Sequence, residues 1–383
     1  NLFLAGRIIS SSHVAFGSTR VMMSCAHHAQ AVGSAAALAI ENQQKPNGVN
    51  VSDLQVRLIR SGQFIPFTEV TDTRDLLQTA ELTASSTRQI NELACSGELS
   101  PLDQPCALLF PAEAGRLPKI TSYFSATKAC EVEVQLRVSS KVGNYTPDTT
   151  LASQTLRIPA GNQTAVACDF DIKLTEDQYV FFCMMPADGV SVSLSDAILT
   201  GITSLSQRQH KSVAKSSVQV GPEGAGIDSF EFWLPQRRLE GKNLAVSFDP
   251  PLSPYTVEAL ASAYERPFIR SNAWAASPDD TAPSLNIKWD KPQKFSSLIL
   301  CFDTDFDHPM ETVQWQHPEA VMPQCARHFI VQNAAGETLF EIKDNHQSRV
   351  HVPMGDHGSL DQLTILFPDS HQAPPALFKI WAV

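Results

Sequence analysis

The stretch CEVEVQLRVSS, residues 130–140, alternates apolar and polar side chains. Val132, Val134, Leu136 and Val138 fall on one side of an extended chain, with Glu131, Glu133, Gln135 and Arg137 on the other. That pattern suits an antiparallel strand with one face on a core and the other in water. Related short runs continue to the carboxy-terminal end: KITSYFSA, SQTLRIPAG, TAVACDFDIKL, QYVFFCMMPA, LNIKWDKP, SSLILCFDTDF and LFKIWAV among them. Turn-forming PAGN and ADG separate the earlier runs, and IVQNAAGETLFEI reads as a hairpin around a glycine-bearing loop. The expected fold class is mainly β, with two antiparallel β-sandwiches.

The first 66 residues have a different texture. Ser18–Glu41 is alanine-rich, lacks proline and predicts a helix. Ala29, Gly33, Ala36 and Ala37 place small residues at three- and four-residue spacings, a face flat enough to lie on a sheet. Leu2–Ala5 reads as a strand before this helix. Ser52 with Gln55 matches a capping box, and the short helix it opens is expected to stop at Gly62. The 383 residues suggest two or three domains. The divisions expected are a helical piece over 1–66, an irregular connector over 67–104, a first sandwich over 105–205, a polar linker over 206–226 and a second sandwich over 227–383.

A net charge of −11 argues against a nucleic-acid or anionic-membrane surface. No apolar run approaches the ~20 residues of a membrane span. None of the eight cysteines forms a C-x-x-C pair, so zinc ribbons and thioredoxin-type sites are not expected, and buried free thiols are. No H-E-x-x-H, G-x-S-x-G or P-loop occurs. His27 and His28 are adjacent on a helix, His351 and His357 lack a third ligand nearby, and Asp303, Asp305 and Asp307 lack the glycine and distal glutamate of an EF-hand. No metal is expected, and the aspartates read as a solvated strand end. Asn144 and Asn162 match glycosylation acceptors and read as chance matches.

The opening run, NLFLAGRIISSSHVAFGSTRVMMS, predicts a strand, a glycine, and a loop that ends at Gly17 against a helix start. A glycine there permits close approach of a ligand, and the free N–H groups of Ser18, Thr19 and Arg20 favour an electron-rich group. With QAVGSAAALA and DLQVRLIRSGQFIP, this segment resembles the final FAD-contacting part of a family of FAD-dependent oxidoreductases, flavoproteins with two dinucleotide folds that occur in bacterial carbohydrate-degradation settings. The resemblance spans residues 1–66. It implies that Gly6 and Arg7 lie along the pyrophosphate and ribityl of FAD, that His13 is near the flavin, and that Gly17, Ser18, Thr19, Arg20, Val21 and Met22 face the isoalloxazine ring. The family's G-x-G-x-x-G fingerprint is not in the sequence; GPEGAG, residues 221–226, lies in a polar stretch and follows no strand. The chain is therefore expected to be the carboxy-terminal part of a larger flavoprotein, whether fragment, truncated frame or split subunit. Its partner is then the upstream FAD-binding portion, and FAD is not expected to stay on this chain alone. The family setting is bacterial, with no choice between periplasm and cytoplasm.

Residues 261–306 weakly resemble discoidin-like sandwiches, which implies β-sandwiches of jelly-roll or galactose-binding-like type. On that resemblance Tyr264, Arg266, Arg270, Asn272 and Trp274 form a candidate carbohydrate-binding patch, since aromatics stack on sugar faces and arginine or asparagine reaches hydroxyls. Two functions follow as expectations. One is an oxidoreductase portion that completes a flavin site, acting on a sugar or glycoside. The other is a non-catalytic carbohydrate-binding or assembly module made by the sandwiches alone.

Overall fold

The computed structural model describes residues 1–65, 68, 69, 72–141, 143, 146–207, 216, 218–220, 229–235, 242–304 and 322–383. Two compact units divide the chain, Asn1–Asp75 and Leu76–Val383.

The first unit is helical. A 3-10 turn over Gly6–Ile8 precedes α1 (His13–Thr19), α2 (Met22–Glu41) and α3 (Val51–Arg60). The single helix expected from Ser18 is thus two helices that break at Arg20, and Gly17 lies inside α1, not at a helix start. Ser12 opens α1 by accepting from the Ala15 N–H at 3.3 Å. The cap of α3 is Asn50, whose side chain accepts from the N–H of Ser52 at 2.9 Å, and not the expected Ser52. An asparagine one residue before the helix outcompetes the serine because its carbonyl reaches the first free N–H groups from an extended backbone. Gly62 closes α3 as expected, at φ +88°. Leu2–Ala5 forms no strand: a strand needs neighbours, and none occurs among the described residues of this unit.

The second unit holds both sandwiches, mainly β and antiparallel as the alternation implies. In the first, a sheet of six strands faces one of seven, with Phe110, Val134, Phe182 and Leu136 meeting Ile120, Phe124, Val192 and Val246 in one core. Val132, Val134, Leu136 and Val138 of the Cys130–Val138 strand are all buried. Each such side chain contributes about 1.5–3 kcal/mol through burial. In the second, a sheet of five strands faces one of four around Trp274, Trp289, Phe302, Phe329 and Phe367. The expected hairpin is present, Phe329 pairing with Ile342 and Gly336 turning at φ +77°.

The divisions differ from those expected. Residues 67–104 are not an irregular connector: Glu81–Ala84 pairs with Ser284–Gln293 in the second sandwich, and Ile90–Leu93 and Leu99–Pro101 belong to the first. Nor does the second sandwich start at 227, because Val246–Leu252 lies beside Lys119–Ala126 in the first. The first sandwich is therefore nested within the second. The pairings that cause this join strands far apart in sequence, and local alternation carries no information about partners. Of the expected linker, 208–215, 217 and 221–226 lie outside the described residues, and Val218–Val220 pairs with Ser229–Glu231 in a two-stranded ribbon.

The turn Leu199–Ile202 joins the sandwiches. Tyr255 donates to the Thr200 carbonyl at 2.8 Å, and the Thr200 hydroxyl donates to the Asp303 carboxylate. The Gln324 amide nitrogen, assigned from its neighbours, donates to the same carboxylate at 2.8 Å. Asp303 is fully buried, which corrects its reading as a solvated strand end; Asp305 and Asp307 lie outside the described residues.

Candidate functional site

The residues implied to face FAD sit in the helical unit, largely on its surface. Gly6 adopts φ +72°, a conformation that opens backbone to close approach. Arg7, His13, Gly17, Ser18, Val21 and Met22 are exposed, with Thr19 and Arg20 half-buried. Arg20 stacks over Phe16 with 4.7 Å to the ring centroid, and its Nη2 donates to the Ile9 carbonyl at 3.3 Å. Its Nε is buried without a hydrogen-bond partner, as is the Ser11 hydroxyl. The long helix near this stretch is α2, which starts at Met22, and its N-cap Val21 supplies no side-chain acceptor. The free backbone donors therefore lie about four residues later than the sequence implied, at Met22 and beyond.

This unit also exposes much apolar surface. Leu2, Ile8, Val14, Met22, Met23 and Ile40 are each at least 69% exposed. Ala29 and Gly33, from the small-residue face of α2, are exposed as well. The donor set here is an open glycine at Gly6, an unpartnered guanidinium N–H at Arg20 and a helix start without a side-chain cap, groups suited to an electron-rich ligand.

Of the residues singled out for sugar binding, the structure brings only some together. Trp274 is not on the surface. It is fully buried, packs 5.7 Å from Phe367 between ring centroids, and donates its indole N–H to the Ser86 carbonyl at 2.9 Å. Its bulk is needed inside the second core, which sequence texture could not distinguish from a loop aromatic. Tyr264 stacks on Phe268 at 4.8 Å, and the Arg266 carbonyl accepts from the Asn272 side chain at 3.1 Å. Arg270 and Asn272 line a cleft of about 280 Å³ between the sandwiches, opposite Glu113 and Asp177. Thr256 and Glu258 close another side. Arg270 pairs with Asp177 at 2.6 Å, and Asp177 also accepts from the Ala114 N–H at 2.7 Å. Carboxylates, a guanidinium, an amide and hydroxyls converge there, the groups that hydrogen-bond a polyol. Asp177 and Glu113 are the residues that sequence reading missed, because they come from the other sandwich.

Among the described residues no group of three His, Cys, Asp or Glu side chains could hold a metal ion, and no helix is long and apolar enough to cross a membrane. All eight cysteines are free thiols, five of them buried. The Asn162 side chain accepts from the Ser125 hydroxyl at 2.7 Å, and Asn144 lies outside the described residues.

Residues 1–58 match the family model described as FAD dependent oxidoreductase. No curated protein matches the chain in sequence. Among solved structures it is similar to the family 32 carbohydrate-binding module of Streptococcus pneumoniae EndoD, at 12% identity over 33% of this chain and 84% of that one, with a TM-score of 0.26. It is also similar to GH31 CBM32-2 bound to GalNAc, at 11% identity over 34% of this chain and 87% of that one, TM-score 0.24. A third is CpGH89CBM32-4 of Clostridium perfringens, in complex with GlcNAc-α-1,4-galactose, at 15% identity over 29% and 72% of the two chains, TM-score 0.21.

Proposed function

We propose that the helical unit supplies the last flavin-facing segment of a FAD-dependent oxidoreductase, the rest of whose site is built by sequence outside this chain. The family match over residues 1–58 carries the reading. The apolar side chains that the unit leaves in water support it, since a surface of that kind is ordinarily covered. FAD, when bound, supplies hydride-accepting chemistry. The chain's own part is to bind and orient: Gly6 opens the backbone, Arg20 offers a buried N–H, and the α2 start favours negative charge on a neighbouring ring. Val21, Met22 and Met23 would exclude water from that side.

The sandwiches are accessory modules in this reading, with the cleft at Arg270 and Asn272 as a sugar site. A sugar or glycoside would then be the substrate of the whole protein. A second reading, in which the sandwiches bind carbohydrate with no catalytic role, is favoured by the same polar cleft, because nothing in it depends on flavin.

The test is flavin content. Purified alone, the chain should lose FAD on gel filtration, because one side of a pocket leaves little surplus over the entropic cost of association. Expressed together with the reading frame immediately upstream, the product should carry flavin near stoichiometry. A flavin-free longer product would refute the oxidoreductase reading. Stoichiometric flavin on the chain alone would refute the claim that its site is incomplete.

A further inference from the structure

A charged cluster, buried at Lys379 and half-buried at Arg349 and Glu265, lies on the outer face of the four-stranded sheet of the second sandwich. Cys301 of Ser297–Phe302 pairs in register with both Lys379 of Ala376–Ala382 and Arg349 of Arg349–Pro353. These residues alternate with Leu300, Ile380 and Val350, which face the core. Residues 262–272 cross over them as a strap. Lys379 is 1% exposed; its Nζ donates to the Ser262 carbonyl at 2.5 Å and lies 4.1 Å from the Trp381 ring centroid. Glu265 reaches down from the strap. Its Oε1 accepts from the Trp381 indole at 2.6 Å, and its Oε2 accepts from Arg349 Nη1 at 2.6 Å. Arg349 Nη1 also contacts Cys301 Sγ at 3.1 Å.

The same strap forms a wall of the cleft. Beyond Glu265 it folds back on itself: the Phe268 N–H donates to the Arg270 carbonyl at 3.0 Å, and the Asn272 amide donates to the Arg266 carbonyl at 3.1 Å. These bonds link the Glu265 end of the strap to Arg270 and Asn272, while the buried Ser271 between them donates to the Pro254 carbonyl. We propose that Glu265 is a positioning residue of the cleft, anchoring the strap so that Arg270 and Asn272 face a bound sugar; this rests on the sugar reading given above.

Two physical arguments support the role. Removing the carboxylate takes away the acceptor that Glu265 offers the Trp381 indole and Arg349 Nη1, and with it the strap's side-chain anchor on this sheet. The Arg270–Asp177 pair cannot hold it down, because the Arg270 side chain is 67% exposed and such surface pairs are weak.

The experiment uses the full chain, with galactose as the probe. Titration followed by NMR is combined with hydrogen exchange of the 262–272 peptide in the parent, Glu265→Gln, Glu265→Ala and Arg270→Ala. Glu265→Ala should weaken galactose binding about tenfold and accelerate exchange of the strap by a similar factor, while Ala376–Ala382 stays protected. Glu265→Gln keeps an acceptor for Trp381 and should recover part of both, which a general loss of fold would not allow. Arg270→Ala should weaken binding while leaving exchange over 262–268 unchanged. A Glu265→Ala chain that binds galactose as the parent does overturns the positioning role alone. A parent that takes up no galactose overturns the sugar reading, and the positioning role with it.

Discussion

The Tyr255 hydroxyl and the Thr200 carbonyl meet at 2.8 Å inside the junction of the two sandwiches, both residues being about 2% exposed. Burial pushes the Tyr255 phenol above its usual range, so it stays a neutral donor throughout the working pH. Tyr255→Phe leaves the shape and orphans a buried carbonyl. It should cost about 1–2 kcal/mol in urea unfolding. An unchanged midpoint would mean that the bond adds nothing to the junction.

Gly201, next to Thr200, holds φ +73°, and a Cβ added there would lie 2.5 Å from the Tyr179 hydroxyl. Gly201→Ala should lose at least ~2 kcal/mol, from backbone strain and from the collision together. Adding Tyr179→Phe should restore part of it by removing the struck atom. Calorimetric melting of the single and double variants separates the two contributions.

Gly17 gives the opposite expectation. It lies within α1, and an added Cβ meets nothing within 4 Å. In this chain Gly17→Ala should favour the helix by about 0.5–1 kcal/mol, seen as higher helicity by circular dichroism. If the helical unit completes a flavin site as proposed, Gly17→Val in the product that includes the upstream reading frame should instead abolish flavin binding. Normal flavin occupancy there would reduce the opening motif to an ordinary turn of helix.

The thiols should divide by burial. Cys168 and Cys325 are pushed up to about 12, chiefly by desolvation, and Cys183 and Cys301 are raised further for the same reason. Iodoacetamide near pH 8 should label Cys25, Cys95 and Cys130, which are half-buried, and spare the other five until denaturant is added. Peptide mass mapping reads the outcome; early labelling of Cys183 or Cys301 would contradict the packing.

Asp280 accepts from the Ser85 and Ser86 hydroxyls at 2.5 and 2.6 Å, and these bonds hold its carboxyl below the ordinary 3.8. A depressed carboxyl contributes stability above its unfolded value and loses that contribution as pH falls through the folded one. Asp280→Asn should therefore lower stability at neutral pH and flatten the loss below about pH 4. The check is the difference in melting temperature between parent and variant across pH 2–7, which should shrink toward acid.

The sandwiches were legible in the sequence wherever a strand keeps one face wet: the Val132–Val138 alternation and the Asn333–Gly336 hairpin both hold. What alternation cannot carry is partnership between distant strands, so Glu81–Ala84 and Val246–Leu252 were read into the wrong regions. The same limit hid the cleft, whose Asp177 and Arg270 come from different sandwiches. Trp274 failed for another reason, since indole suits a sugar platform and a core equally well and only packing decides. In the helical unit, the α2 start moved to Met22 because the Ser12 cap nucleates an extra short helix ahead of it.

The nesting of one sandwich within the other sets an order for synthesis. Glu81–Ala84 leaves the ribosome some two hundred residues ahead of its neighbour, Ser284–Gln293, and must wait unpaired while everything between them is made. The inner sandwich can close as soon as Val246–Leu252 emerges, and its closure shortens the effective tether between the waiting strand and its partner. A premature stop anywhere between 253 and 283 would thus release a finished inner domain trailing an unpaired sheet edge, a product suited to aggregation and to clearance by proteases.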